Sequence, residues 1–293
     1  MESITEKYEK LRQEWKKSDD KRDAGLNPTP DNVKRIDNLS YGTHGTDNLL
    51  DIYLPASYKD KVPVVVNVHG GGYFYGTKET YQYYGMMFAQ AGFAFINFNY
   101  QRAPEVQYPS EINEVNKIFH WLAEHGTDYD LDLNNVFIVG DSAGAQMAEQ
   151  YITAYTNPEY RKLLGFQKPA LTLRAGLLNC GCYFLKRQLA QPSFIDAYFT
   201  PQVQQKYQPE LQVEDYINKD FLPVFIMTAT DDFLRDTGVR FDQFLIDHGI
   251  KHLFKEYGTK NKPRGHVFHI NQRDEVAKKC NEDEISFLKQ WIK

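Results

Sequence analysis

Residues 140–144 read Gly-Asp-Ser-Ala-Gly. They follow the apolar run Val136-Phe137-Ile138-Val139 and precede a helix-compatible stretch, Ala145–Tyr155. A serine at the apex of such a strand-to-helix turn exposes its hydroxyl above a sheet. The flanking glycines keep Cβ atoms out of a turn that cannot hold them. Ser142 is therefore a candidate nucleophile, weak until a base takes its proton. A second signal, His69-Gly70-Gly71-Gly72, follows the apolar run Val62–Val68. Consecutive glycines let backbone N–H groups approach a ligand and point at a developing oxyanion. His69 is expected to shape this loop by hydrogen bonding and not to act as a base. Asp231 and Asp232 both follow a third apolar run, Val224–Thr230, so position alone leaves either as a candidate acid. The phosphate-loop pattern G-x-x-x-x-G-K-[ST] is absent, as is G-x-G-x-x-G with a distant acid, which argues against nucleotide binding. H-E-x-x-H is absent, and Cys180-Gly181-Cys182 is too poor in partners for zinc. No cofactor and no metal is expected.

The elements that must carry these residues alternate. Asn48–Leu54, Val62–Val68, Gly92–Asn99, Val136–Val139, Leu171–Leu178, Val224–Thr230 and His252–Tyr257 read as strands. Helical patterns lie between them at Glu79–Gln90, Ile112–Leu122, Ala145–Tyr155 and Asp236–His248, and Glu275–Ile292 closes the chain. Strands alternating with helices predict an α/β fold, a mostly parallel central sheet with helices on both faces. Ile4, Tyr8, Leu11 and Trp15 recur at helical spacing, which predicts an N-terminal helix over about residues 1–25, ended by the breaker cluster Gly25–Pro30. The stretch Tyr183–Asp220, with Pro192, Pro201 and Pro209, interrupts the alternation and is longer than a compact connection needs. It is expected to be a small inserted lid, meeting the N-terminal helix, within a single domain spanning residues 1–293.

The 293 residues carry 34 Lys plus Arg against 39 Asp plus Glu, a formal charge of −5 that offers no broad basic surface to nucleic acid. No apolar run approaches the roughly 20 residues that cross a bilayer. The charged N-terminus has no apolar core of a secretory signal. Three cysteines cannot all pair within one chain, and a reduced, cytoplasmic setting is expected, with Cys180, Cys182 and Cys280 as buried small hydrophobes.

The two glycine motifs in this order resemble the α/β-hydrolase fold, specifically the hormone-sensitive-lipase-like esterases with their HGGG and GDSAG signatures. The resemblance runs on through Tyr100–Glu105, Tyr108-Pro109, Trp121–His125, Asp232-Phe233-Leu234-Arg235-Asp236, and Gly265-His266-Val267-Phe268, in the family's order over roughly residues 45–270. It implies Ser142 as nucleophile, His266 as base and Asp232 as the acid that orients the imidazole. Asp232 is preferred to Asp231 because Leu234-Arg235-Asp236 then fall into register, and His266 to His269 on the H-x-F match. It implies the amides of Gly71, Gly72 and Ala143 as the oxyanion hole. Tyr73, beside the glycine loop, is a candidate substrate-binding residue, with packing as the alternative. There are departures. Ala145 stands where a glycine is usual, Gln101-Arg102 where Arg-Leu is usual, and Val267 where a glycine is usual.

The expected function is a serine carboxylic-ester hydrolase that works through an acyl-enzyme on a small-molecule ester of small to medium acyl length, aromatic acyl groups included. An amidase or arylformamidase on the same scaffold is the alternative. A ligand-binding homologue without activity is a third reading, set back by the presence of all three triad residue types. Oligomeric state is left open, a homo-oligomer included.

Overall fold

The computed structural model describes residues 3–190, 193 and 195–293. Pro192, read above as part of the insert, lies outside the described residues. Among them is one eight-stranded sheet: β1 (Val33–Ser40), β2 (Leu49–Pro55), β3 (Val62–Val68), β4 (Ala94–Phe98), β5 (Leu131–Asp141), β6 (Leu173–Asn179), β7 (Val224–Ala229) and β8 (His252–Tyr257). The order is β1-β2-β4-β3-β5-β6-β7-β8. β2 pairs antiparallel with both β1 and β4, and every pairing from β4 to β8 is parallel. This is the expected mostly parallel sheet. The strand β1 had no counterpart in the sequence pattern. Its sequence, Val-Lys-Arg-Ile-Asp-Asn-Leu-Ser, is half charged or polar-exposed, as suits an edge that must not recruit another strand.

The central parallel strands β3, β4, β6 and β7 are buried on both faces, so they read as near-continuous apolar runs, whereas the edge strand β8 is half exposed. In β3, Val64, Val66 and Val68 join one core and Val65 the other. Side chains alternate across the pleat, so a single strand feeds both layers. Each fully buried valine contributes about 1.5–3 kcal/mol to folding.

The helices are α1 (Ile4–Asp23), α2 (Gln82–Gln90), α3 (Ser110–His125), α4 (Ala143–Thr156), α5 (Pro158–Leu163), α6 (Leu185–Gln188), α7 (Pro201–Lys206), α8 (Arg235–Asp247) and α9 (Glu275–Lys289). Helix α1 starts on a capping box in which Ser3 and Glu6 satisfy each other's backbone N–H groups. Its apolar face lies on the loop that leaves the glycine motif. Trp15 packs on Phe74 at 4.8 Å, and Tyr8 meets the same ring at 5.1 Å. Arg12 donates to the carbonyls of Phe74 and Ala103 and pairs with Glu105 at 2.6 Å. The helix also meets the insert, where Tyr8 bonds the backbone of Ala197.

The insert is built of α6, α7 and a 3-10 turn at Val213–Tyr216. It is anchored by aromatic side chains: Tyr183, Tyr198 and Phe199 are fully buried. Tyr198 stacks on Tyr73 at 4.9 Å, and its hydroxyl accepts from the Glu111 amide. The high tyrosine content thus fastens the insert to the body of the fold. All three cysteines are free and buried. Among the described residues no helix is long and apolar enough to cross a membrane.

Candidate active site

The residues singled out from sequence come together at the carboxyl ends of the parallel strands, where α/β sheets present their ligand sites. β3 runs into His69 and the glycine loop, β5 into Ser142, β7 into Asp231-Asp232, and the segment after β8 carries His266.

Ser142 sits between β5 and α4 with φ 53° and ψ −117°, a strained conformation for a residue with a side chain. The surroundings hold it there. The Ser142 amide donates to Asn179 O, and the Ser142 carbonyl accepts from Cys182 N and Gln146 N. The two motif glycines are sterically required. A Cβ on Gly140 would lie 2.3 Å from Gly144 O, and one on Gly144 would lie 2.0 Å from Val68 O. Ala145 stands just past this contact, fully buried, so a side chain fits where the family pattern has glycine.

Asp141 ties the two motifs together. Its Oδ1 accepts from the Gly70 amide at 3.0 Å and its Oδ2 from the Tyr81 hydroxyl at 2.8 Å. Burial pushes this carboxyl up to about 6, against the hydrogen bonds that favour its charged form. Gly71 has φ +115°, and a Cβ there would strike Tyr75 O at 2.1 Å. Gly72 also lies in the left-handed region. Among the described residues, the amides of Gly71, Gly72 and Ala143 donate to no backbone or side-chain acceptor. His69 is buried, its Nδ1 2.8 Å from Gly70 O and its ring stacked on Tyr100 at 4.0 Å. Burial drives its imidazole down to about 3, which keeps it neutral and in a shaping role, as expected. Arg102 donates to Gly76 O and pairs with Asp47 at 3.3 Å, so an arginine one place along from the family's usual position still makes an ion pair.

His266 Nδ1 lies 2.7 Å from Asp232 Oδ1. Asp232 is almost fully buried. Desolvation alone would raise its carboxyl, but the hydrogen bond and charge of His266, the Leu234 amide and the Cys180 thiol together hold it below the usual aspartate value. Thr228 Oγ donates to the other oxygen at 3.1 Å. Asp231 is exposed, and its backbone bridges to Gly265. His269 is buried against Tyr84, and burial lowers it to about 3, a packing role. Val267, beside the imidazole, has φ 57°, the left-handed region in which a glycine would be unstrained.

Ser142 and His266 line one cavity of ≈ 360 Å³, together with Gly71, Gly72, Asp141 and the α1 residues Glu14, Trp15, Ser18 and Asp19. No hydrogen bond joins Ser142 Oγ to His266 among the described residues. Such contacts are commonly long without substrate and tighten in the complex. A second cavity of ≈ 250 Å³ also opens on Ser142 and is lined by Gly72, Tyr73, Ala143, Cys182, Leu234 and the insert residues Gln188, Ser193 and Ile195. Tyr73 is both packed and pocket-lining: its ring is buried, and its hydroxyl donates to Gln146 Oε1 at 2.9 Å.

Sequence reasoning missed several residues of this site. Phe233 is 65% exposed, lies 4.3 Å from the His266 ring and borders both cavities. Its place directly after Asp232 was the available signal. Cys180 is more than a buried hydrophobe, since its thiol, the Asp232 carboxylate and the His266 ring offer atoms all within 4.8 Å of one another. These three could in principle ligate a cation. The Asp232–His266 hydrogen bond already occupies the facing atoms, so a cation there would have to displace the shared proton. Glu284 on α9 was not anticipated at all. It accepts from Tyr84 at 2.8 Å and from Asn179 at 2.6 Å, the residue whose carbonyl holds the Ser142 amide.

Burial raises the Glu284 carboxyl from 4.5 to about 8. A carboxyl raised in the folded state binds more protons folded than unfolded between those two values. Through this group, stability therefore falls as pH rises from about 4.5 to about 8, by at most about 1.4 kcal/mol per unit. Glu284→Gln is predicted to flatten that slope. Urea denaturation of both proteins at pH 5, 7 and 9 checks it: the variant should gain on the parent as pH rises, and parallel curves would contradict the assignment.

Comparison with known proteins bears on the fold and on the kind of activity. The BD-FAE family model matches residues 50–169. Carboxylesterase NlhH of Mycobacterium tuberculosis is 29% identical over 236 residues, covering 74% of this chain and 71% of that protein. The crystal structure of inhibited esterase B from Lactobacillus rhamnosis superposes with a TM-score of 0.89 at 20% identity, covering 99% of this chain and 97% of that one. A thermostable esterase from Pseudomonas putida ECU1011 gives 0.75 at 21% identity over 98% and 90%. At such identities the two structures speak to the fold. The family-model match, the relative and the superpositions agree on a carboxylic-ester hydrolase of the α/β-hydrolase fold, similar to the hormone-sensitive-lipase-like esterases.

Proposed function

We propose that this carboxylic-ester hydrolase works through Ser142, His266 and Asp232. The observation that most supports the reading is the Asp232–His266 hydrogen bond of 2.7 Å beside a strained Ser142 on the same cavity wall. His266 takes the Ser142 proton as Oγ adds to the ester carbonyl. The resulting oxyanion is received by the free amides of Gly71, Gly72 and Ala143. The carbonyl re-forms, the C–O bond to the alcohol breaks, and the imidazolium returns its proton to the leaving oxygen. Water then repeats the sequence on the acyl-enzyme and frees Ser142. Asp232 fixes the imidazole tautomer and stabilises its cation, and Asp141 holds the glycine loop against the serine turn.

The substrate is a small-molecule ester with a small to medium acyl group. The N-terminal helix and the 183–220 insert form the cap of a single domain. Three free buried cysteines support a cytoplasmic setting.

A fluorophosphonate probe tests the assignment. Labelling should map to Ser142 alone and disappear in Ser142→Ala, whereas an unlabelled parent would point to a ligand-binding homologue. A paired screen of aryl esters against N-formyl and N-acetyl amines should favour the esters, and a preference for amides would overturn the substrate class.

A further inference from the structure

The two cavities that open on Ser142 are not equivalent. His266 lines the one beneath α1 and is absent from the lining of the one beneath the insert. In acyl transfer the base that accepts the serine proton must hand it to the leaving oxygen, so the leaving group lies on the imidazole side. Resting on the triad reading above, we infer that the α1 cavity holds the alcohol, that the insert cavity holds the acyl group, and that Glu14 biases the alcohol site toward cationic over anionic leaving groups.

The lining carries the bias. The α1 cavity is bordered by three carboxylates, Glu14, Asp19 and Asp141, and, among the described residues, by no lysine or arginine. Asp19 is engaged, accepting from Tyr75 at 2.6 Å and from Arg22 at 2.7 Å, and Asp141 is held by Gly70 and Tyr81. Glu14 is exposed on α1, and among the described residues no cation pairs with it. Trp15, Tyr75, Tyr81 and Phe233 border the same space. Aromatic faces beside carboxylates favour ammonium groups, and the same arrangement repels a carboxylate or sulfonate. On the other side, the insert cavity has no acidic or basic lining residue among the described residues, and its ≈ 250 Å³ lies below the range of drug-sized sites, which suits a short uncharged acyl chain.

The experiment uses three butyrate esters of matched size: butyrylcholine, the neutral 3,3-dimethylbutyl butyrate, and 3-(butyryloxy)propanoate. The ratio of kcat/KM for the cationic over the anionic ester is expected to be about tenfold or more at low salt and to shrink as salt is raised. Glu14→Lys should lower that ratio by about threefold or more, in line with one exposed charge. A ratio near one in the parent, or one unmoved by Glu14→Lys, overturns the charge assignment. For the sides of the site, Ile195→Trp narrows the insert cavity. It should shift the preferred p-nitrophenyl acyl length downward while leaving the order of the three alcohols as it was. A changed order of alcohols with unchanged acyl preference would reverse the assignment. Loss of p-nitrophenyl butyrate turnover and probe labelling in the parent would instead signal failure of the triad reading.

Discussion

Ser142→Ala is expected to fold as the parent does and to lose hydrolysis of short p-nitrophenyl esters by about 10⁴-fold or more. The backbone contacts that fix the turn explain why the fold survives. The Ser142 amide and carbonyl bond Asn179, Cys182 and Gln146, and none of these uses the hydroxyl. Alanine removes one oxygen from a position only 9% exposed and tolerates the same backbone angles as serine. Circular dichroism and thermal midpoint should therefore match the parent. The chemistry has no substitute, since the oxyanion amides and the cavities can bind an ester but cannot form the acyl-enzyme. Activity above about 1% of the parent would contradict the mechanism.

The second large effect is expected from Asp232→Asn. The Asp232 Oδ1 accepts from both His266 Nδ1 and the Leu234 amide, and the other oxygen accepts from Thr228. An asparagine oxygen can replace Oδ1, and its amide nitrogen can donate to the Thr228 hydroxyl, so the geometry need not collapse. What is lost is the negative charge that stabilises the imidazolium and fixes its tautomer. A drop of about 10³–10⁴ in kcat is expected, with KM little changed. Asp231→Asn, by contrast, should stay within a few-fold of the parent, because that residue is exposed and, among the described residues, the imidazole bonds Asp232 instead. Equal losses from both variants, or a larger loss from Asp231→Asn, would move the acid to the neighbouring position.

These two aspartates also mark where sequence stops being informative. The strand and the turn after it were legible from Val224–Thr230, but one residue of register decides which carboxylate faces inward. That is settled by long-range pairing: Asp231 N donates to Arg264 O, while Asp232 N donates to Ala229 O within its own turn. The serine turn was legible for the opposite reason. Its glycines are demanded by contacts under 2.5 Å that hold whatever lies further away. The central strands were legible because burial on both faces leaves continuous apolar runs, and β1 was not, because its Lys34, Arg35, Asp37, Asn38 and Ser40 break that pattern at the edge. Helix α1 was visible as a periodic stripe. That its stripe would cover the glycine loop and supply one wall of the site depended on Phe74 and Tyr75, some 60 residues away. Cys180 and Glu284 stayed hidden because nothing local to a buried thiol or a helix carboxylate reports what faces it.

On the triad and cavity assignment proposed above, the cavity beneath α1 has a consequence for the fate of the acyl-enzyme. The water that ends the cycle must also approach on the imidazole side, so it needs the space the departing alcohol has just vacated. An alcohol that lingers there, or a second one that enters, competes with water for the same carbonyl and the same proton acceptor. The enzyme's partition between hydrolysis and transesterification is then governed by how dry Trp15, Tyr75 and Phe233 keep that one chamber.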